Sequence, residues 1–276
     1  MGEYHQSHST RFAPASPPVA NVHSPPLAYA RRVELHPSNR RSNWKSAGLQ
    51  GSAIRTPRTH AVALPCEYST VERRADRVAH VLGVTASVLG LVWLVLTASR
   101  YPSTLMTISF ALYGGALVSC FFASAAYHEA SHPRLKNVLR VVDHSMIYLL
   151  IAGTYTPVAL VALSGTWGWA LFAVEWFFAT LGIALKVVFP RRFEGVSIAC
   201  YLALGWAGLV VVGRIIDSVP AGGLACLVAG GLLFTIGVYF HAVSRFRFHT
   251  VVWHGFVVAG AACHVCMTLF YIRIPS

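Results

Sequence analysis

The chain has 276 residues, of which 55% are hydrophobic and 12% are charged, and its formal net charge is +12. Soluble domains carry about 25% charged residues, so an ordinary cytosolic enzyme, a disulfide-rich secreted domain and a disordered protein are excluded. Lipid must therefore surround most of the chain. The basic residues lie in a tail and in short loops between apolar runs, which indicates membrane topology and not a nucleic-acid-binding surface.

The first 70 residues differ in composition from the rest of the chain. They contain eight of the fourteen prolines, eight Lys and Arg residues, and no apolar periodicity. Such a segment cannot bury enough apolar surface to fold, so residues 1–70 are predicted to form a disordered, basic, proline-rich cytoplasmic tail. An arginine- and serine-rich N-terminus is also typical of an organellar transit peptide, and this alternative stays open. Residues 71–276 form the predicted membrane domain.

Seven apolar runs follow, each close to the length of about 20 residues that a membrane-spanning helix needs. Because lipid admits only helices and closed barrels, long runs without strict alternation are predicted to be helices. The runs are residues 78–99, 103–127, 142–163, 167–185, 195–213, 219–243 and 250–272. The sequence therefore predicts an all-α membrane protein, a bundle of seven transmembrane helices, with a tight turn at residues 164–166.

The loop charges predict the orientation of this bundle. If the N-terminus is cytoplasmic, eight Lys and Arg residues fall in inside loops and three fall outside. The inside residues are Arg134, Lys136, Arg140, Lys186, Arg191, Arg192, Arg245 and Arg247, and the outside residues are Arg100, Arg214 and Arg273. Basic residues accumulate on the cytoplasmic side of membranes, so we expect the N-terminus inside and the C-terminus outside. The expected location is the plasma membrane.

Histidines cluster at one level of the predicted bundle. Seven of the eight histidines that follow residue 78 fall at the cytoplasmic ends of the spans, and only His264 lies deeper. Asp76 and Asp143 are at the same level as the seven. The seven are His80, His128, His132, His144, His241, His249 and His254. Intramembrane ionisable groups are candidates for function, and their confinement to one side favours a single shared site.

Three local patterns contribute candidates for that site. Ser124 and His128 lie four residues apart, on one helical face, so the serine either orients the imidazole or forms an ordinary interhelical hydrogen bond. Asp143 opens the predicted third span, where a carboxylate either caps the helix or accepts a proton from a metal-bound water. His249 and His254 are about 140° apart around a regular helix, so they share an ion only if a π-bulge or an irregular first turn brings them together.

Two further patterns suggest alternatives. Residues 128–132 read HEASH, which matches the HExxH pattern of zinc proteases, but Pro133 disfavours helix at His132. Glu129 is then an interfacial residue. Glu175 lies within the fourth span, where a carboxyl group is costly unless it has a partner or faces water. It indicates either a polar partner on a neighbouring helix or a role in transport.

Four stretches of the sequence together resemble a known family. They are residues 72–80 (ERRADRVAH), 124–128 (SAAYH), 143–157 (from DHS to GTYTP) and 253–257 (WHGFV), the last followed by His264. In this order on seven spans, they are similar to the haemolysin III branch of the progestin and adipoQ receptor family. The resemblance covers residues 68–276, and Asp76 stands where asparagine is common in the family.

The resemblance implies a seven-helix bundle that is distinct from G-protein-coupled receptors. Related adiponectin receptors and alkaline ceramidases hold zinc near the cytoplasmic face with three histidines, one from the second span and two from the seventh. By this resemblance His128 and His254 are expected zinc ligands, Asp143 contacts the metal-bound water, and Ser124 supports a ligand.

One departure from the family pattern concerns the third ligand. The family usually has its other zinc-binding histidine of the seventh span four residues before the one that corresponds to His254. This chain has Thr250 at that position. His249 precedes that position by one residue, so either the helix start shifts and His249 completes the site, or the site lacks one ligand.

The resemblance implies two classes of function. The first is a zinc-dependent, ceramidase-like hydrolase of lipid amides or esters, with Asp143 and Ser124 as catalytic residues. The alternative is a non-catalytic protein, either pore-forming and cytolytic or receptor-like, and a transporter that uses Glu175 is a further possibility. Membrane lipids are the expected partners, one of them as the candidate substrate, and nucleic acid is not expected to bind.

Overall fold

The computed structural model describes residues 69–190, 192–242 and 247–272, and within these ranges all regular structure is helical. Seven helical spans there are long and apolar enough to cross a membrane. This confirms the predicted all-α bundle and an integral, multi-pass membrane protein. The orientation of the termini stays a prediction, and all but the last two residues of the predicted tail lie outside the described residues.

The spans consist of eight α-helices and two irregular segments. The α-helices are α1 Thr70–Ala98, α2 Thr104–Glu129, α3 Pro133–Pro157, α4 Gly165–Val188, α5 Glu194–Gly205, α6 Val212–Ser218, α7 Ala221–Ala242 and α8 His249–Tyr271. A π-helical segment, Val158–Leu163, extends α3, and a 3₁₀ segment, Ala207–Val211, joins α5 to α6. The third and fifth spans are therefore composite, and each of the other five is one α-helix.

Two helices begin well before the apolar runs that predicted them. The first, α1, begins at Thr70 because Ser69 and Glu72 form a capping box, in which each side chain accepts from the other residue's backbone N–H. The third, α3, begins at Pro133, and proline suits a first turn because the N–H it lacks would have no helical partner. Asp143 consequently lies inside α3 and is not its cap.

The two irregular segments have identifiable causes. Pro157 has no N–H and cannot continue the hydrogen-bond ladder of α3, and the π-helical segment follows it directly. In the fifth span, the Tyr155 hydroxyl donates to the carbonyl of Gly205 at 2.8 Å and accepts from the N–H of Gly208 at 3.0 Å. A side chain inserted at this point takes the place of helical partners, which explains the break between α5 and α6.

The first and last spans are neighbours in the bundle. Helix α1 packs against both α2 and α8, while α2 packs on α3 and α7 packs on α8. Close contact of α1 with α2 depends on Gly83, since a Cβ there would lie only 2.6 Å from the ring of Phe121. Residues far apart in sequence, at the starts of α1 and α8 and the end of α2, therefore meet.

Candidate metal centre

Glu72 joins the start of α1 to the start of α8. One of its carboxylate oxygens completes the capping box, and the other accepts from the backbone N–H of Phe248 at 3.1 Å. Phe248 precedes α8 in the left-handed backbone conformation, with φ of 64°. This contact holds the first turns of α1 and α8 side by side.

Three histidines from three spans converge one to two turns further along these helices. Glu72, Asp76 and His80 repeat every four residues on the buried face of α1. The His80 ring centroid lies 4.7 Å from that of His128 on α2 and 4.3 Å from that of His254 on α8, and the last two are 4.9 Å apart. The three rings form a compact cluster inside the bundle.

Asp76 lies behind this cluster and contacts all three imidazoles. Its carboxylate oxygens are 2.9 Å from Nδ1 of His128 and 2.9 Å from Nδ1 of His254. Nδ1 of His80 is 2.8 Å from the backbone carbonyl of Asp76. Because carboxylate and carbonyl oxygens accept, each Nδ1 carries the proton and donates, and each Nε2 of a neutral ring keeps a free lone pair.

The Nε2 atoms of His80 and His254 face the hydroxyl of Ser124, at 3.3 Å and 3.5 Å. Among the residues that the structure describes, His80, His128 and His254 are the group suited to hold a metal ion, with ligand atoms within 4.8 Å of one another. Histidine ligands of metals usually donate their second N–H to a carboxylate or a carbonyl, as these do to Asp76. The donor set therefore fits a metal ion, and the group could hold one.

The histidine cluster opens into a cavity of about 530 Å³ that runs between the helices. Asp143 and Ser124 line the same cavity, so the structure brings the predicted catalytic residues to the predicted ligands His128 and His254. His249 also lines this cavity but is not in the three-histidine group. Because α8 is a regular helix from His249 onward, His249 and His254 stay on different faces, and a ligand role for His249 remains a prediction.

The HEASH pattern does not have the helical geometry that a zinc protease needs. Helix α2 ends at Glu129, and His132 precedes α3 in an extended conformation, so the two histidines of HEASH do not share a helical turn. Glu129 forms an exposed ion pair with Arg77 at 2.6 Å.

Glu175 is fully buried, and neither of its carboxylate oxygens has a hydrogen-bond partner among the described residues.

Sequence reasoning missed His80 as a member of the cluster and Asp76 as the residue that orients it. In the sequence, His80 and Asp76 do not stand out from the other polar residues expected on the same side of the membrane. The signal that identifies them is the spacing of Glu72, Asp76 and His80, which places three polar residues on one face of an otherwise apolar helix. An apolar span has no reason to align such residues unless that face meets polar partners.

Comparison with known proteins gives the family. Residues 72–265 match the family described as Haemolysin-III related. The chain is 35% identical to the Hemolysin-3 homolog of Bacillus subtilis (strain 168) over 209 residues, which cover 75% of this chain and 98% of that protein. It is also 35% identical to Hemolysin-3 of Bacillus cereus over 201 residues, 73% of this chain and 92% of the relative.

A more distant relative extends the comparison beyond bacteria. The monocyte to macrophage differentiation factor of Homo sapiens is 27% identical over 172 residues, 60% of this chain and 71% of that protein. The family suggested by the four sequence stretches is confirmed, and the chain belongs to the Haemolysin-III related family of seven-span membrane proteins, akin to the progestin and adipoQ receptors.

Proposed function

We propose that this protein is a zinc-dependent hydrolase of lipid amides or esters, with His80, His128 and His254 as the zinc ligands. The observation that carries the proposal is the orientation of the three imidazoles. All three Nδ1 atoms contact Asp76, which leaves the three Nε2 atoms as candidate metal ligands, and those of His80 and His254 face the cavity residue Ser124. Three neutral imidazoles are a common protein ligand set of catalytic zinc.

Zinc bound to this group would polarise a carbonyl and make a water nucleophilic near neutral pH. Asp143 is the general base of the proposal, because it lines the same cavity as the three histidines and its carboxyl group can accept a proton from the attacking water. The Ser124 hydroxyl has one proton to donate and lies near two Nε2 atoms, so it positions the reacting groups beside the ligands.

The cavity supports a lipid as the substrate. Its volume of about 530 Å³ lies within the range of about 300–1,000 Å³ that is usual for small-molecule sites. Away from the histidines its lining is mostly apolar, with side chains such as Leu150, Ile151, Phe234 and Val257. A long-chain acyl group fits such a lining, while a polar metabolite would lose its hydration without replacement.

The test combines metal content with turnover. Protein purified without chelator is analysed by mass spectrometry for bound metal, and then assayed with a fluorescent ceramide and a fluorescent lipid ester. We expect about one zinc per chain, hydrolysis of one of these lipids, and loss of both properties in His128→Ala. The matched variant Asp143→Asn is expected to keep the zinc and lose about 100-fold or more in turnover. Wild-type protein without bound metal would overturn the proposal.

The names of the two bacterial relatives support a second candidate, a cytolytic membrane protein. Dye release from liposomes tests it directly. If this function is the correct one, purified protein releases dye, and Asp143→Asn releases it equally well because pore formation needs no proton acceptor. If release requires both zinc and Asp143, lysis is a consequence of lipid hydrolysis.

A further inference from the structure

The cavity of the metal centre has a polar rim that the proposed reaction does not use. Arg140 on α3, Glu194 on α5 and His241 on α7 form this rim, and all three line the same cavity as the three-histidine cluster. The side chains of Arg140 and Glu194 are 34% and 41% exposed, while those of His80 and His254 are 8% and 10% exposed. The rim is therefore at an open part of the cavity, where its groups can reach a ligand.

Two cations share the carboxylate of this rim. One oxygen of Glu194 accepts from the guanidinium of Arg140 at 3.1 Å, and the other lies 3.5 Å from Nζ of Lys186. The Lys186 side chain is only 6% exposed, whereas Arg140 lines the cavity. One negative charge balances only one of the two positive charges. The rim therefore has a surplus positive charge, and Arg140 is the cation that presents it to the cavity.

Arg140 also keeps hydrogen-bond donors for a ligand. A guanidinium group has five N–H donors, and in the part of the chain that the structure describes, the Arg140 side chain makes one hydrogen bond, to Glu194. Both oxygens of Glu194 already have a cation, so the rim offers a ligand donors rather than acceptors. The planar fork of arginine matches the oxygens of a phosphate in a bidentate contact. The rim therefore favours an anionic group of this kind.

The rim and the reaction centre lie about one helical turn apart. Arg140 precedes Asp143 by three residues on α3, which corresponds to about 4.5 Å along the helix. Residues at this spacing are neighbours on one helical face, and both line the cavity. The carboxylate of Asp143 belongs to the proposed metal centre, where a bound divalent cation would offset its charge. A group bound at Arg140 is therefore only a few bonds away from a carbonyl at the metal centre.

We propose that Arg140 binds the phosphate of a lipid head group whose ester or amide carbonyl lies at the metal centre. The inference rests on the proposed function for the reaction, and it adds a substrate class: lipids with a phosphate a few bonds from the carbonyl, in preference to neutral lipids such as ceramide or diacylglycerol. The phosphate accepts from the free N–H groups of Arg140 at the open rim, and the acyl chains contact the apolar lining.

The test is a binding competition that needs no turnover. Full-length protein in a maltoside detergent, which contains no phosphate, is equilibrated with a dialkylglycerol and with its phosphate monoester. Both probes have the same ether-linked chains, which cannot be hydrolysed. We expect the phosphate form to bind about tenfold more tightly, which corresponds to the lower end of the range for a hydrogen bond to a charged group. Equal affinities would overturn the proposal, and so would displacement of the lipid by equimolar inorganic phosphate, which would identify a site for the free anion.

Variants of the ion pair separate phosphate binding from structural support. In Arg140→Gln the charge and the fork are lost, so the tenfold preference is expected to disappear. Arg140→Lys keeps the charge without the bidentate geometry, so part of the preference is expected to remain. The matched control Arg134→Gln changes an exposed arginine near the start of α3 and should keep the full preference.

The variant Glu194→Gln decides between the two roles of Arg140. It removes the carboxylate partner but leaves the guanidinium at the rim, so the preference for the phosphate form is expected to be kept or to increase. If Arg140 acts only by joining α3 to α5, Glu194→Gln loses the preference as Arg140→Gln does. That result would overturn the proposal.

The result is distinguishable from failure of the proposed function. The same competition is repeated with His128→Ala, which removes a proposed metal ligand but leaves Arg140 in place. If only the hydrolase proposal is wrong, the preference for the phosphate form persists in this variant and in wild-type protein. If only the Arg140 proposal is wrong, zinc binding and hydrolysis are present but the two probes bind equally. A preference that is lost in His128→Ala and kept in Arg140→Gln would show that the metal binds the phosphate, and would also overturn the proposal.

Discussion

Asp76 and Glu175 are both buried carboxyl residues of the bundle, with exposed fractions of 5% and 0%. Asp76 has three imidazole neighbours, two of them within 2.9 Å of its carboxylate oxygens. Glu175 has no hydrogen-bond partner among the described residues. The two carboxyl groups are similar in burial but opposite in how the bundle satisfies them.

The surrounding helices account for this contrast. Asp76 lies where α1, α2 and α8 bring polar side chains to one level, so its partners come from three spans. Glu175 lies on the face of α4 that contains Gly168, Ala179 and Gly182 and packs tightly on the third span. Burial of an ionisable residue therefore indicates a site only where other polar groups converge on it, as they do on Asp76.

Removal of a histidine from the Asp76 cluster should have the largest effect. We expect His80→Ala to reduce bound zinc from about one per chain to nearly none, because two imidazoles and water hold zinc weakly. The matched variant His249→Ala, also at the cavity, is expected to keep its metal. Mass spectrometry of both purified variants decides between the ligand sets. Zinc that survives in His80→Ala but not in His249→Ala would restore the ligand expected from sequence.

The change Asp76→Asn tests the orienting residue itself. An amide oxygen can accept from one Nδ1–H, but the amide nitrogen cannot accept from the other, so one ring must change tautomer and lose its Nε2 lone pair. We expect the zinc affinity to fall about 10–100-fold, as is typical for loss of such supporting groups. Competition with a fluorescent chelator measures it, with Glu175→Gln as the control that keeps full affinity. An equal loss of zinc affinity in both variants would contradict the orienting role of Asp76.

The sequence predicts the bundle better than it predicts the site. Long apolar runs define the seven spans without knowledge of their neighbours, and the confinement of histidines to one side locates the site. The identity of the third histidine depends on α1 lying beside α8, a contact between the two ends of the domain that no local pattern encodes. The capping box of Ser69 and Glu72 also matters. It starts α1 at Thr70, before the apolar run, and so places Asp76 and His80 within a continuous helix.

Replacement of Glu175 tests the opposite side of the comparison. In Glu175→Met an unpartnered buried carboxyl group gives way to an apolar side chain of similar length, so we expect a gain in stability of about 1 kcal/mol. Thermal unfolding in nanodiscs measures it, and Asp76→Leu in the same assay should lose stability because the imidazoles of His128 and His254 lose their acceptor. A loss of stability in Glu175→Met would reveal a partner of Glu175, such as a bound ion, and would revive a transport role.

The smallest effect is expected at Glu129, which the HExxH pattern would make a general base. Its ion pair with Arg77 is exposed, with side-chain exposures of 64% and 62%, and such pairs contribute about 0–1 kcal/mol. We expect Glu129→Gln to change the zinc content, lipid turnover and thermal midpoint by little more than experimental error. A turnover loss of about 100-fold with zinc retained would instead identify Glu129 as a proton acceptor. Glu129 directly follows the proposed zinc ligand His128 but pairs with Arg77. This variant therefore tests whether a residue next to the site in sequence takes part in it.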